Sequence, residues 1–283
     1  MLLLVRHLTH MRYPAGAAGL ALRLKLFPPS FDGQRVIDWH VEIDGEETTH
    51  GTMGGYGERF AQWLSHRHHD ELEIVAHGRV ETEDRAGIIK GLRRACPPEV
   101  FLRDTPLTQP DEAIRALGGG LEPGAGALPG LHALSAEVRA ALPYRSGMTD
   151  SATPAAAALA GGGGVCQDHS HIFIAAARAR GVPARYVTGY LLAGDEAYQQ
   201  LETHAWAEAH VAGLGWVGFD VANGLSPTDH YVRLCTGLDA NDAAPLRGIV
   251  TGGGPGTVSA DVRIARGEGD IEAMQQQQQQ QQQ

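Results

Sequence analysis

Gly161-Gly-Gly-Gly-Val-Cys166-Gln-Asp-His-Ser-His-Ile-Phe-Ile-Ala-Ala-Ala-Arg-Ala-Arg-Gly181 runs from a glycine loop straight into a helical pattern. Val165, His169, Ile172, Phe173 and Ala176 fall on one helical face, Gly181 stands where a helix closes, and Pro183 follows just beyond. The pattern puts Cys166 at the helix start. There the unpaired N–H groups and the positive end of the helix dipole favour a thiolate. The glycines ahead of it let a substrate or another stretch of backbone come close, and the N–H of Cys166 is placed to donate to a developing oxyanion. Taken alone, the segment fits equally a buried cysteine on a core helix, the commoner fate of a single cysteine.

The chain beyond the helix supplies the partners such a thiol needs. Ala184 to Leu192 reads as a strand, and Thr203 to Val211 and Trp216 to Val221 read as two more, joined by Ala212-Gly-Leu-Gly215. Strand alternation puts His204, Trp206, Glu208 and His210 on one face, with Ala205, Ala207, Ala209 and Val211 on the other. The small apolar face suits a core and the His204 face suits a site. A hairpin centred on Ala212 sets His204 opposite Asp220, and a slip of one residue would send the side chains to opposite faces. Asp220 then orients His204, which activates Cys166: nucleophile, base and acid, in the order Cys, His, Asp.

Gly164 to His171, Gly181 to Tyr190 (Gly-Val-Pro-Ala-Arg-Tyr-Val-Thr-Gly-Tyr), Thr203 to Glu208 (Thr-His-Ala-Trp-Ala-Glu) and Gly215 to Asp220 (Gly-Trp-Val-Gly-Phe-Asp) together resemble the bacterial transglutaminase-like family, part of the papain-like superfamily of thiol enzymes. The resemblance covers residues 154 to 235 and extends more weakly to a β-rich start like the N-terminal region that accompanies this domain in bacteria. It implies that Cys166 is the nucleophile, His204 the base and Asp220 the orienting acid. Gln167 and His169 stand where members often have a basic residue and an aromatic, and Asp220-Val-Ala-Asn-Gly224 replaces a common Asp-Pro-Thr-Asn-Gly. Ala160 lies six positions before Cys166, so no second oxyanion donor is assigned.

The expected fold is α+β. A papain-like, transglutaminase-like core, its cysteine helix packed on an antiparallel sheet, follows an N-terminal β-sandwich-like module. The module spans 1–85, from the alternation of Leu20 to Leu26 and Val36 to Ile43, the Asp44-Gly45 turn, and further strands in Phe60 to Leu64 and Leu72 to Val80. The core spans 86–266, with short helices at Asp111 to Leu117 and Leu134 to Leu142 and a last strand at Val258 to Ile264. Residues 267–283, ending in the glutamine run Gln275 to Gln283, form a tail too polar to build a core and expected to be disordered. That run is also a conceivable acyl donor for the enzyme's own chemistry.

The expected activity is cysteine-dependent acyl transfer on peptide or glutamine-type amides through a thioester, in a transglutaminase-like cysteine protease or amidase. Two alternatives stand beside it: a true transglutaminase joining a glutamine acyl group to an amine, and a binding domain with a retired site. The cycle needs no cofactor, and no acidic loop has calcium-ligand spacing. The partner is a protein or peptide substrate. A net charge of -10 without a Lys/Arg cluster argues against nucleic acid and anionic membranes. No stretch approaches the roughly 20 apolar residues of a membrane span, and the apolar start is too short for a signal peptide.

Three cysteines, none in a Cys-x-x-Cys pair, point to a reducing, cytoplasmic setting. Cys235 reads as a core residue and Cys96, before Pro97-Pro98, as a loop residue. The His66-Arg-His-His-Asp70 cluster reads as a solvated loop rather than a metal site. Zinc shared between Cys166, His204 and His169 or His171 is the weaker alternative to catalysis, and Asp168 and His171 read as hydrogen-bonding supports of the helix.

Overall fold

Short strands rich in Leu, Val and Ile precede the helices, and strands return after them. In the computed structural model, which describes residues 1–49, 51–93, 96–193, 198–201, 203–254 and 256–267, these become β1 (Leu2–Ala17), β2 (Gly19–Phe27), β3 (Gln34–Ile43), β4 (Glu46–Glu47), β5 (Thr52–Met53), β6 (Arg59–Ser65), β7 (His69–Thr82) and β8 (Ile88–Ile89). The α-helices are α1 (Glu112–Ala116), α2 (Ala127–Ala141), α3 (Ala155–Gly161) and α4 (Cys166–Ala179). Then come β9 (Ala184–Leu191), β10 (Tyr198–Leu201), β11 (His204–Val211), β12 (Gly215–Phe219), β13 (Tyr231–Gly237), β14 (Leu246–Thr251) and β15 (Thr257–Arg266). The fold is α+β, as the sequence implied.

Two sheets, ordered β10-β15-β1-β7-β3-β4 and β14-β2-β6-β5, face each other as a sandwich. Leu3, Val5, Leu22, Leu24, Ile74 and Ile264 are among the side chains filling the space between them. β1 is central to the first sheet, paired with both β7 and β15. Sequence alternation did not single it out, because its inward row continues from Leu3 and Val5 into His7 and Thr9. Those two polar residues are nonetheless buried. They are satisfied in place: His7 Nδ1 lies 3.0 Å from Tyr190 Oη and Thr9 Oγ1 3.3 Å from His7 Nε2.

The third sheet, β13-β9-β11-β12-β8, carries the helices on one face. Ala205, Ala207, Ala209 and Val211 of β11 form a shallow surface on which Ile172, Phe173 and Ala176 of α4 settle, with Leu131, Leu134 and Val138 of α2 behind. Small residues let the helix come close. Each large side chain it buries contributes about 1.5–3 kcal/mol.

The expected boundary between module and core needs correction. β15, read as the last strand of the core, pairs with β1 from Leu3↔Arg266 to Arg12↔Thr257, and β14 pairs with β2. The chain therefore returns to complete the sandwich after building the helical layer. Tyr190, Leu192, Val232, Leu234 and Cys235 of the third sheet's region also enter the sandwich core, so the units share apolar packing. Gln34 stitches them further, donating to the Arg233 carbonyl at 2.9 Å and accepting from its N–H at 2.7 Å. The tail expected at 267–283 lies outside the described residues apart from Gly267. Among the described residues no helix is long and apolar enough to cross a membrane.

Candidate active site

α3 ends at Gly161, and Gly162 takes the left-handed conformation (φ 69°) that terminates it. Two residues on, Gly164 pairs with Tyr144 in a parallel bridge, and Val165 is extended as the N-cap of α4. Valine has no side-chain acceptor, so the first-turn N–H groups beginning with Cys166 receive no cap from it. The start is secured from inside instead. Asp168 Oδ2 accepts from the Val165 N–H at 2.8 Å and from Thr149 Oγ1 at 2.7 Å. The thiol thus sits half-buried at the first position of α4.

His204, the first residue of β11, comes from the neighbouring sheet. Its Nε2 lies 2.6 Å from Asp220 Oδ2, and the Cys166 thiol acts on the same ring electrostatically. Burial pushes the imidazole down, but Asp220 and Cys166 outweigh that and raise it to about 10. The ring stacks on Trp206 (centroids 6.2 Å apart, 29°) and leans on Tyr231 at 6.1 Å. Gly189, paired opposite His204, makes room for this: a Cβ there would fall 2.5 Å from the Trp206 ring and 2.2 Å from the Val232 carbonyl.

The hairpin exists, but its register differs from the expectation. Ala207 faces Phe219 and Val211 faces Gly215, so the pairing is centred on Gly213 rather than Ala212. The leucine of the Ala-Gly-Leu-Gly link lies in the turn while Gly215 pairs, which moves the centre by one residue. Continuing this register sets Asp220 across from Trp206, diagonal to His204. Moving the centre by one residue changes the partner by two, which preserves the face, so the two side chains still meet.

Asp220 is fully buried and held by more than His204. Its Oδ2 also accepts from Tyr231 Oη at 2.7 Å and Asn223 Nδ2 at 2.7 Å, and its Oδ1 accepts from the Asn223 N–H at 3.1 Å. Burial favours the neutral acid, but His204, Tyr231 and Asn223 together hold the carboxyl below the ordinary aspartate range. Asn223-Gly224 is a turn, as its residues suggested, and the same asparagine is an Asp220 donor. Tyr231 left no local signal, because it arrives on β13.

The His204 face of β11 is not open along its length. Glu208, fully buried, bridges Arg185 Nε (2.6 Å) and Arg233 Nε (2.8 Å), and Arg185 lies 3.8 Å over the Trp216 ring. Burial lowers Arg185 to about 10 despite the carboxylate beside it. This layer fixes charge on the same strand that His204 begins.

The other histidines are engaged elsewhere. His169 is buried with Nδ1 2.9 Å from the Val165 carbonyl and Nε2 2.8 Å from that of Leu142. His171 Nε2 accepts from the Ala240 N–H at 3.0 Å, and burial holds this imidazole at about 4. His68 pairs with Asp70 in an exposed turn. Among the described residues no group of three or more His, Cys, Asp or Glu is placed to hold a metal. Cys235 is buried, its thiol pushed up to about 12, and Cys96 is half-buried beside Phe101 and Trp216.

Residues 120–221 match the transglutaminase-like superfamily, and residues 3–81 match the bacterial transglutaminase-like N-terminal region. An uncharacterized protein of Mycobacterium leprae is 27% identical over 274 residues, 93% of this chain and 98% of that protein. One from Mycobacterium tuberculosis is 33% identical over 150 residues, which span 50% of this chain and 48% of that protein. A solved candidate cysteine protease from Cytophaga hutchinsonii shares the fold with a TM-score of 0.74 at 22% identity, covering 95% of this chain and 92% of that one.

Proposed function

We propose, for a chain that belongs to the transglutaminase-like superfamily, that Cys166, His204 and Asp220 catalyse acyl transfer from a peptide or glutamine-type amide. The observation that carries this is one imidazole bonded to a buried carboxylate and raised by the helix-start thiol as well. The Cys166 sulfur attacks the amide carbonyl carbon, and the C–O π electrons move to oxygen, where the first-turn N–H groups of α4 receive the charge. His204, protonated, gives its proton to the leaving nitrogen as the C–N bond breaks, which leaves a thioester. Water then attacks the thioester with His204 as general base, and the acid departs as the C–S bond breaks. Hydrolysis is the reading adopted, because water reaches any site that a peptide can enter. An amine in place of water would make the same site a transglutaminase.

The substrate on this reading is a protein or peptide. Three free thiols support a reducing, cytoplasmic setting. The test is ammonia release from glutamine peptides, proteolysis of casein and incorporation of a fluorescent primary amine into casein, run side by side with Cys166→Ser. Activity that vanishes in Cys166→Ser supports acyl transfer, and the assay that responds names its class. Wild-type protein silent in all three, with Cys166 no more reactive than a free thiol, would return the fold to a binding role.

A further inference from the structure

The segment from Pro143 to Asp150 lies against the glycine loop that precedes the nucleophile. Arg145 N–H donates to the Gly164 carbonyl at 2.8 Å, Gly164 N–H to the Pro143 carbonyl at 3.3 Å, and Gln167 Nε2 to the Asp150 carbonyl at 3.3 Å. With Thr149 on Asp168, these bonds fix the segment to both sides of Cys166. Two large apolar side chains on it are nevertheless turned to solvent. Tyr144 is 60% exposed and Met148 49% exposed.

Neither is loosely placed. One face of the Tyr144 ring stacks on His169 at 6.1 Å and 23°, and His169 is itself pinned through both ring nitrogens. The Met148 sulfur seats over Gly163, where a Cβ would lie only 2.6 Å from it. Rigid apolar side chains left in water beside a nucleophile are what a substrate side chain covers on binding.

We infer that Tyr144 and Met148 form a substrate subsite that selects an acyl donor carrying a large apolar residue, aromatic or branched aliphatic, next to the reactive amide. The inference rests on the acyl-transfer reading and adds the substrate class. The ring of Tyr144 supplies the platform, and Met148 adapts to the shape of the guest.

The test alkylates Cys166 with acetyl-Phe-Gly, acetyl-Ser-Gly and acetyl-Asp-Gly chloromethyl ketones, in which the sulfur displaces chloride. Each rate is divided by the iodoacetamide rate of the same variant, which needs no subsite. The Phe probe should outpace the Ser probe about tenfold or more in wild type, the discrimination one buried apolar group gives. Tyr144→Ser should bring the ratio to within about twofold, Tyr144→Phe should retain it, and Met148→Ser should lower it. Equal rates for the three probes, with iodoacetamide labelling fast below pH ~7, would overturn the subsite and leave the thiolate reading standing. Iodoacetamide labelling no faster than that of a free thiol would overturn both.

Discussion

Asp220→Asn removes the charge behind His204 while keeping size and shape. Three donors converge on Asp220 Oδ2, from His204, Tyr231 and Asn223, and a fourth reaches Oδ1. An asparagine amide can face the three with its oxygen only, and its NH2 then meets the Asn223 N–H. Asp220 is the larger of the two supports that hold the imidazole at about 10 against burial. Without it, only Cys166 opposes burial, and the imidazole falls from about 10 toward its ordinary value of about 6.5. At pH 8 the imidazolium fraction then falls from nearly complete to roughly 3%, about a thirtyfold loss of the thiolate–imidazolium pair. Iodoacetamide reads the thiolate that the imidazolium stabilises. The expected signature is therefore a labelling defect of about tenfold or more near pH 6 that shrinks as pH rises toward the free thiol's range, about 8.5. Iodoacetamide labelling from pH 5 to 9, read by mass on the Cys166 peptide with buried Cys235 as internal control, measures it. A profile for Asp220→Asn that overlays wild type across that range would refute the role given to Asp220.

Glu208→Gln leaves Arg185 and Arg233 buried without an anion and should cost about 3–5 kcal/mol. Urea unfolding with an unchanged midpoint would count against it. Gly189→Ala drives a methyl into the Val232 carbonyl and the Trp206 ring, so about 3 kcal/mol of stability and most labelling below neutral pH should go together. Retained fast labelling would show that His204 does not depend on that contact. His7 and His171 are both held neutral by burial, at about 4. A depressed histidine contributes stability that is complete above about pH 6.5 and is lost as pH falls toward 4. His204, raised instead, binds a proton on folding above about pH 6.5, so between pH 7.5 and 5.5 it offsets about 1.4 kcal/mol of that loss without cancelling it. The two together should remove about 3 kcal/mol by pH 5.5, seen as a lower urea midpoint than at pH 7.5. An equal midpoint would refute neutral burial.

What the sequence made legible was local. The helix carrying Cys166 and the alternation of β11 are fixed by neighbours within a few positions, and both residues stand where those patterns put them. Even the misjudged hairpin centre left His204 and Asp220 facing, because the error was even in strand period. The features that escaped depend on distant chain. Tyr231 meets Asp220 only because β13 lies beyond β9, and nothing near position 231 marks it. β1 hid because His7 and Thr9 interrupt its apolar row, and only Tyr190, from the core sheet, explains how they are tolerated. β15 was legible as a strand but not as a partner of β1, since pairing between positions 3 and 266 leaves no trace in either segment alone.

That long-range closure bears on how the candidate site keeps its shape. His204 begins a strand, a position that would fray if only one neighbour supported it. Here β11 is bordered by β9 and β12, Gly189 admits the Trp206 ring across the pair, and Tyr231 arrives from β13 to fix Asp220. β13 in turn is fastened to the sandwich through Gln34, and its Val232, Leu234 and Cys235 lie in the sandwich core. The N-terminal module is therefore part of what orients the imidazole, through side chains packed behind the sheet rather than through any group that reaches the thiol. A base held this way needs little reorganisation before reaction, which is the condition under which an imidazole–carboxylate pair is of most use to a nucleophile.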